Sequence, residues 1–325
     1  MNTRTILLPF ALALTFAGAC DQPSMAGFEA TTADGDPEFR CLECVFNSPS
    51  VNDFGAGDMR VDGLPNEDGV SFAGIRSTEG MVYDLEIIDD EFAAQTSGGL
   101  LMGAQLVGWD LLLDTGGDII PVHIYAAETQ ASWADGAASF TKYALNYPSQ
   151  DPGIRHNICP SYLLDPEIAV VTLIRNERYD RAAIEVIPNQ TDWVTLACED
   201  EATFKMKRMN YGPNDDFGGA QPASVAQRQA TLKMITADYC GVGHSFTQQG
   251  TPLHWRNTAN NVDSCVGGDC TSIEAVWTEN GALCVRNPRL YKNSIEDIRA
   301  ICPEIPACTA THLTQNHEWM TWAAE

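Results

Sequence analysis

Basic residues are scarce in this chain of 325 residues, where 19 Lys and Arg stand against 44 Asp and Glu for a formal net charge of −25. Nucleic-acid binding rests on Lys and Arg displacing phosphate counterions, and no basic stripe is present, so nucleic acid is excluded as a partner. Long hydrophobic runs are also missing beyond the first residues. The best internal candidate, Leu100 to Ala127, is interrupted by Asp110, Asp114 and Asp118. Each would cost about 2.5–3.5 kcal/mol at a bilayer centre, so the stretch reads as strands. No Asp-x-Asp-x-Asp-Gly loop ending on a Glu occurs. Asp62-Gly63 and Asp68-Gly69, in an acidic glycine-rich stretch, keep a calcium-dependent adhesion module as one alternative. No second Cys-x-x-Cys and no close His pair accompany Cys41-Leu42-Glu43-Cys44, so a tetrahedral zinc set is not formed. Neither a metal nor a cofactor is expected.

What is present begins at the N-terminus. Arg4, an apolar run from Ile6 to Phe16 and the small residues Ala17-Gly18-Ala19 lead to Cys20. This is the pattern of a lipoprotein signal over residues 1–19, too short to span a bilayer. Cys20 is therefore the expected lipid anchor and the membrane the expected partner, which places the protein in the cell envelope, at the outer membrane or cell surface. Ala17 stands where Leu is usual, so ordinary cleavage to a secreted or periplasmic protein is the alternative. Residues 20–40 are small, polar and acidic, a flexible linker composition. The rest, 44% hydrophobic and 9% aromatic over the whole chain, has the composition of a globular body.

Setting Cys20 aside leaves an even set of ten: Cys41, Cys44, Cys159, Cys198, Cys240, Cys265, Cys270, Cys284, Cys302 and Cys308. In an exported chain these read as disulfides. Cys265 and Cys270 flank a turn-like Val-Gly-Gly-Asp, and Cys302 and Cys308 flank a segment with Pro303 and Pro306, so these two pairs are expected as local bridges. Cys41 and Cys44 have redox spacing, but Asn47-Ser48-Pro49 follows where a helix would have to open, and a structural bridge is expected instead.

Residues 41–150 read as a β-rich region, with β-branched and aromatic runs at 82–88, 100–107, 119–126 and 140–147. The acids Glu86, Asp89, Asp90 and Glu91 read as a solvated turn. Residues 151–310 add strands at 169–174, 182–187 and 193–197, then two helices. The first spans about 201–209, with Ala202, Met206 and Met209 on one face. The second opens on a capping box of Ser224 and Gln227, with Val225, Leu232, Ile235 and Tyr239 on one face down to Cys240. Asn280-Gly281 marks a hairpin, and Ser294 with Asp297 caps a short helix that stops at Cys302-Pro303. Residues 311–325 read as a C-terminal tail. The expected fold is α+β and β-rich, with antiparallel sheets or a small barrel or sandwich, a few short helices and disulfide bracing.

Ala237-Asp238-Tyr239-Cys240-Gly241, followed by Gly243, His244, Thr247 and Gly250-Thr251-Pro252, resembles the motif of the bacterial ADYC-domain family. Glu274-Ala275-Val276-Trp277 and Gly281-Ala282-Leu283-Cys284 stand where that family has an acidic-Ala-x-Trp and a Gly-Ala-x-Cys. Cys41, Cys44, Asn47-Ser48-Pro49, Gly63, Asn66 and Gly69 look like its N-terminal signature. The resemblance implies a secreted or lipid-anchored envelope protein of the myxobacterial type with no characterised activity. Met206 and Thr231 occupy positions where family members often carry cysteines, which suggests a disulfide lost as a pair. One catalytic reading exists within the motif, that of a hydrolase or thiol enzyme with Cys240 as nucleophile, His244 as base and Asp238 orienting the His. Against it, Gly241 and Gly243 break the helix that would align them. The reading preferred is a lipid-anchored, disulfide-stabilised envelope protein with a non-catalytic binding or structural role.

Overall fold

The computed structural model describes residues 48–149, 153–159, 169–199, 201–217, 221–247, 251–259, 261–265, 270–290 and 293–324. The leader, Cys20, the linker, Cys41 and Cys44 lie outside the described residues. In chain order the strands run β1 (Ser50–Val51), β2 (Phe54–Gly55), β3 (Asp58–Arg60), β4 (Ser71–Arg76), β5 (Val82–Tyr83), β6 (Leu85–Ile88), β7 (Glu91–Thr96), β8 (Gly99–Met102), β9 (Asp110–Asp114), β10 (Ile119–Gln130), β11 (Phe140–Pro148) and β12 (Arg155–Asn157). Then come β13 (Val171–Asp180), β14 (Glu185–Cys198), α1 (Ala202–Arg208), α2 (Val225–Thr236), β15 (Leu253–Asn257), β16 (Ile273–Thr278), β17 (Gly281–Val285), α3 (Ile295–Ile301) and β18 (Trp319–Ala323).

An open sheet of nine strands organises the body, in the order β3-β14-β13-β11-β10-β9-β4-β5, with β12 added beside β11. All its pairings are antiparallel. Side-chain alternation gives this sheet two buried faces. Val171, Leu173, Val194 and Leu196 point into a first core with Ile75, Phe92, Leu111 and Tyr143. Ile174, Val186 and Ala197 point into a second core with Phe204, Met206, Leu232, Tyr239, Trp277 and Trp319. The first core is closed by the three-stranded sheet β6-β7-β8, the second by the helices and the four-stranded sheet β15-β18-β16-β17. The fold is thus β-rich with short helices and several antiparallel sheets, and among the described residues there is no closed barrel.

Several elements differ from the sequence reading, each for a tertiary reason. The run 82–88 is two strands, because β5 joins the large sheet and β6 the small one. The strand expected to end at Ile174 continues to Asp180, and 185–198 is one strand, with Ala182–Ile184 left in the turn. The charged end of β13 and the turn after it are tolerated because Arg178 and Arg181 pair with Asp58, Glu67 and Glu201 from other elements, as described below. The large sheet also crosses residue 150, joining both halves of the chain. The segment expected as a tail carries β18, which lies between β15 and β16 and fully buries Trp319. Its indole Nε1 donates to Thr231 Oγ1 at 2.8 Å. Thr231 and Met206, on helices that pack together, are both fully buried.

Turns and caps follow local chemistry. Asp89 and Asp90, both at positive φ, form the two-residue turn between β6 and β7, the conformation that matches strand twist. The turn between β16 and β17 is Glu279-Asn280, and Gly281 at φ 103° is the first residue of β17. Ser224 and Gln227 make the reciprocal bonds of a capping box at α2, and Ser294 and Asp297 do so at α3. Of the apolar stripe expected on α2, Leu232 and Tyr239 are buried and Ile235 packs against the same core, but the buried face is wider and more polar than that stripe. Val225 is exposed, whereas Arg228 and Lys233 are buried together with Ala230, Thr231, Leu232 and Met234.

The cysteines pair as Cys159–Cys198, Cys240–Cys302, Cys265–Cys270 and Cys284–Cys308. The expected local bridge between Cys302 and Cys308 is not formed. Cys302 caps α3 and meets Cys240 instead. Ala307 makes a parallel bridge to Val285, and the Val285 amide donates to Pro306 O at 3.0 Å, which sets Cys308 beside Cys284.

Candidate functional site

The family motif sits at the C-terminal end of α2, and each of its letters has a structural role. Ala237 adopts the left-handed conformation (φ 54°) that ends the helix, and the Asp238 amide returns to Lys233 O at 3.0 Å. Asp238 is fully buried. Its carboxylate accepts from Lys233 Nζ at 2.7 Å, Gly243 N at 2.8 Å and Val242 N at 3.1 Å. Tyr239 stacks on Trp277 with ring centroids 5.1 Å apart, and its hydroxyl donates to buried Glu274. Burial, then the Glu274 carboxylate, pushes the Tyr239 phenol well above its usual range. Cys240 is bonded to Cys302. Gly241, at φ 71°, lies against the Asn280 carbonyl, so closely that a Cβ would overlap it. The motif thus ties the end of α2 to the β16–β17 hairpin.

These contacts bear on the catalytic reading. The disulfide leaves no thiolate at Cys240, and a nucleophile is what that reading requires. Asp238 is engaged by Lys233 and two amides, and His244 is buried with its ring 4.3 Å from that of Phe246. The chemistry of the motif is that of a braced core.

Two similar buried networks clamp α2. In its first turn, Arg228 bonds both oxygens of Glu177 and the Ala223 carbonyl, and Tyr179 Oη donates to Glu177 at 2.8 Å. At its end, Arg289 bonds the Met234 carbonyl and lies 3.4 Å from Glu274. A third pair joins Tyr211 to Glu318, with Asn257 Nδ2 3.1 Å from the Tyr211 hydroxyl. Of the acids expected as a solvated turn, Glu86 and Asp89 are exposed, whereas Asp90 departs from that reading and Glu91 is half-buried with a bond from Thr141. Asp90 is buried and accepts from Lys207 Nζ at 2.6 Å, Arg175 N at 2.8 Å and Asn214 Nδ2 at 2.9 Å.

Burial raises the Glu318 carboxyl above its usual range, opposed by hydrogen bonds from Tyr211 and Gln227 and by the nearby His317. A carboxyl raised in the folded state contributes stability that is complete below its unfolded value, about 4.5, and is lost as pH rises through the folded one. Relative to Glu318→Gln, the wild-type protein is therefore expected to gain melting temperature as pH falls from 8 toward 4.5. A pH-independent difference between the two melting curves would contradict this assignment.

A cleft of about 670 Å³ opens at the far end of β13 and β14, lined by the Ser48–Gly57 segment, the Asn66–Asp68 turn, Arg178, Arg181 and Trp193. Its floor is an ion network. Asp58 accepts from Thr195 Oγ1 at 2.7 Å and Arg181 Nη1 at 3.1 Å. Glu201 accepts from Ser48 Oγ at 2.6 Å and the Cys198 amide at 2.7 Å, with Arg181 Nε at 3.5 Å. Burial raises the Glu201 carboxyl, and Arg181 opposes the rise. Arg178 lies over the Trp193 ring, 4.0 Å from its centroid, and bonds Glu67 at 2.9 Å. Of these residues the sequence singled out Ser48, Pro49 and Asn66 in the family signature, Asp68 in the acidic glycine-rich stretch and Cys198 as a disulfide cysteine, but not Asp58, Arg178, Arg181, Trp193 or Glu201. The available signal was the run of charges Arg175 to Arg181 within a strand pattern, which marks burial by pairing or a binding surface but does not name the partners.

On the remaining open part of the sheet, Arg76, Asp110, His123, Asn146 and Asn157 align in register across β4, β9, β10, β11 and β12. Asp110 accepts from Arg76 at 2.7 Å and lies 2.9 Å from His123 Nδ1. This row holds a His–carboxylate pair but no hydroxyl or thiol to activate. Among the described residues no group of three or more His, Cys, Asp or Glu is arranged to hold a metal ion, and no helix is long and apolar enough to cross a membrane.

A β-rich body with its α2 helix bolted to a hairpin by the Ala237–Gly241 motif defines a disulfide-braced domain of the ADYC class. The ADYC domain family model matches residues 103–291, more than half of the chain, and the chain belongs to that family. No curated protein matches the chain. No solved structure does either.

Proposed function

We propose that this is an exported, lipid-anchored envelope protein that acts by binding, through the cleft at the end of β13 and β14. The observation that carries the reading is that every cysteine among the described residues is bridged, in four disulfides. Such a set persists in an oxidising compartment outside the cytosol. The leader ending at Cys20 supplies export and the anchor, and the acidic residues 21–40 are the tether. Binding is preferred over thiol catalysis because Cys240 serves as a brace, while the cleft has the size of small-molecule sites, about 300–1,000 Å³.

Cys20→Ser is expected to abolish acylation and processing at this site, so that the protein keeps its leader and incorporates no labelled fatty acid. The check is metabolic labelling with a palmitate analogue together with the mass of the product. Normal maturation and labelling of the variant would overturn the anchor.

A further inference from the structure

We propose that the cleft binds a small organic carboxylate through Arg178 and Arg181, and that Glu67 is an internal carboxylate which the ligand displaces. The inference rests on the binding role proposed above and gives it a ligand class. It comes from an inventory of donors and acceptors. The buried carboxylates of the cleft's floor are already engaged, Asp58 by Thr195 and Arg181 and Glu201 by Ser48 and the Cys198 amide, while of the exposed rim acids Asp180 accepts from the amides of Ala182 and Ala183 and Asp68 stands toward solvent. The cationic groups retain donors. Buried Arg178 Nε and Arg181 Nη2 have no hydrogen-bond partner among the described residues. Arg178 Nε stands 3.8 Å from Asp58, too far for a hydrogen bond. A buried donor without an acceptor is costly, and a ligand that brings acceptors removes that cost.

The geometry of Glu67 indicates where a ligand carboxylate sits. Its side chain is 76% exposed, yet it bonds Arg178 Nη2 at 2.9 Å from the rim turn. A guanidinium fork prefers a planar, two-oxygen partner. Trp193 beneath Arg178 and Thr195 on Asp58 hold the floor in place. Gly57 leaves room for the same arrangement, since a Cβ there would come within 2.8 Å of Arg181 Nη2 and shift the guanidinium. A cationic ligand fits less well, because the floor carboxylates have donors already.

The test is titration of the mature protein with sodium succinate at ionic strength held constant with sodium chloride, followed by calorimetry and tryptophan fluorescence. Saturable binding is expected. Arg178→Gln should weaken it about tenfold or more, the size of a charge-assisted bond. Glu67→Gln removes the internal competitor and, for an exposed ion pair, should tighten binding about 1.5- to 5-fold. That variant changes an exposed side chain, so its folding is not in question. No saturable response from either the wild-type protein or Glu67→Gln would overturn the proposal, as would unchanged affinity in Arg178→Gln and Arg181→Gln. Saturation by glucose but not succinate would overturn the carboxylate class and leave a binding role at the cleft. Failure here leaves the anchor, which is tested separately at Cys20, untouched.

Discussion

Replacing both Cys240 and Cys302 by alanine is expected to lower the unfolding free energy by about 4 kcal/mol. The two residues lie 62 apart in sequence, and closing a loop of that length in the unfolded chain removes entropy worth about that much at 25 °C. The bridge also joins the end of α2 to the C-cap of α3, so the loss is not confined to a surface loop. The Cys265–Cys270 bridge closes a loop of only 5 residues and should contribute about 2 kcal/mol. Urea unfolding of the two double variants measures both, read as midpoint and slope, with a steeper slope expected where the longer loop is released. Equal losses from the two would show that loop closure is not what the long bridge contributes. In the single variant Cys240→Ala, Cys302 should be alkylated without denaturation, because its Sγ is only partly buried against Ile298 O.

Lys233→Met is expected to cost about 3–5 kcal/mol, as removal of one partner from a buried ion pair does. Lys233 and Asp238 have side-chain exposures of 2% and 0%. Without the ammonium, Asp238 keeps only two backbone donors, Val242 and Gly243. The ammonium also lies 3.3 Å from Ala183 O and 3.2 Å from Gly241 O, so its removal leaves carbonyls at the β13–β14 turn and in the motif itself short of a donor. The double variant Lys233→Met with Asp238→Asn should recover part of the loss, since an amide is cheaper to bury than a lone carboxylate. Thermal and urea unfolding decide between the outcomes. A cost below about 1 kcal/mol for the single variant would mean that the pair is solvated in solution.

Much of the local structure was legible in the sequence because its causes are local. The Ser224–Gln227 and Ser294–Asp297 boxes need only residues three apart, and both formed. The hairpin around Asn280 formed within a residue of its reading. The adjacent Cys265 and Cys270 paired. The family motif was legible as a string, but its role was not. Nothing in Ala237 to Gly241 states that Asp238 answers Lys233, that Tyr239 reaches Glu274, or that Gly241 is shaped by Asn280.

The misreadings share one cause, which is distance along the chain. Cys302 was assigned to its neighbour Cys308, and the β-bridge at Val285 gave Cys308 to Cys284 instead. Asp90 looked like solvated turn chemistry until Lys207, 117 residues away, buried it. The charged stretch through Arg178 and Arg181 fell between two expected strands, and it became the wall of a cleft because Asp58, Glu67 and Glu201 arrive from other elements.

By itself, the sequence determined the β-rich class with short capped helices, the family, and the chemistry available in cysteines and charges. Periodicity, capping and turn preferences act over a few residues and are written in consecutive letters. Only the tertiary structure decided which distant cysteines meet, that the motif cysteine is a brace, and where two arginines in a cleft wall keep unpartnered donors. Those outcomes depend on which distant side chains share one low-dielectric space, and there an unmet charge or donor costs several times what a solvent-exposed one does.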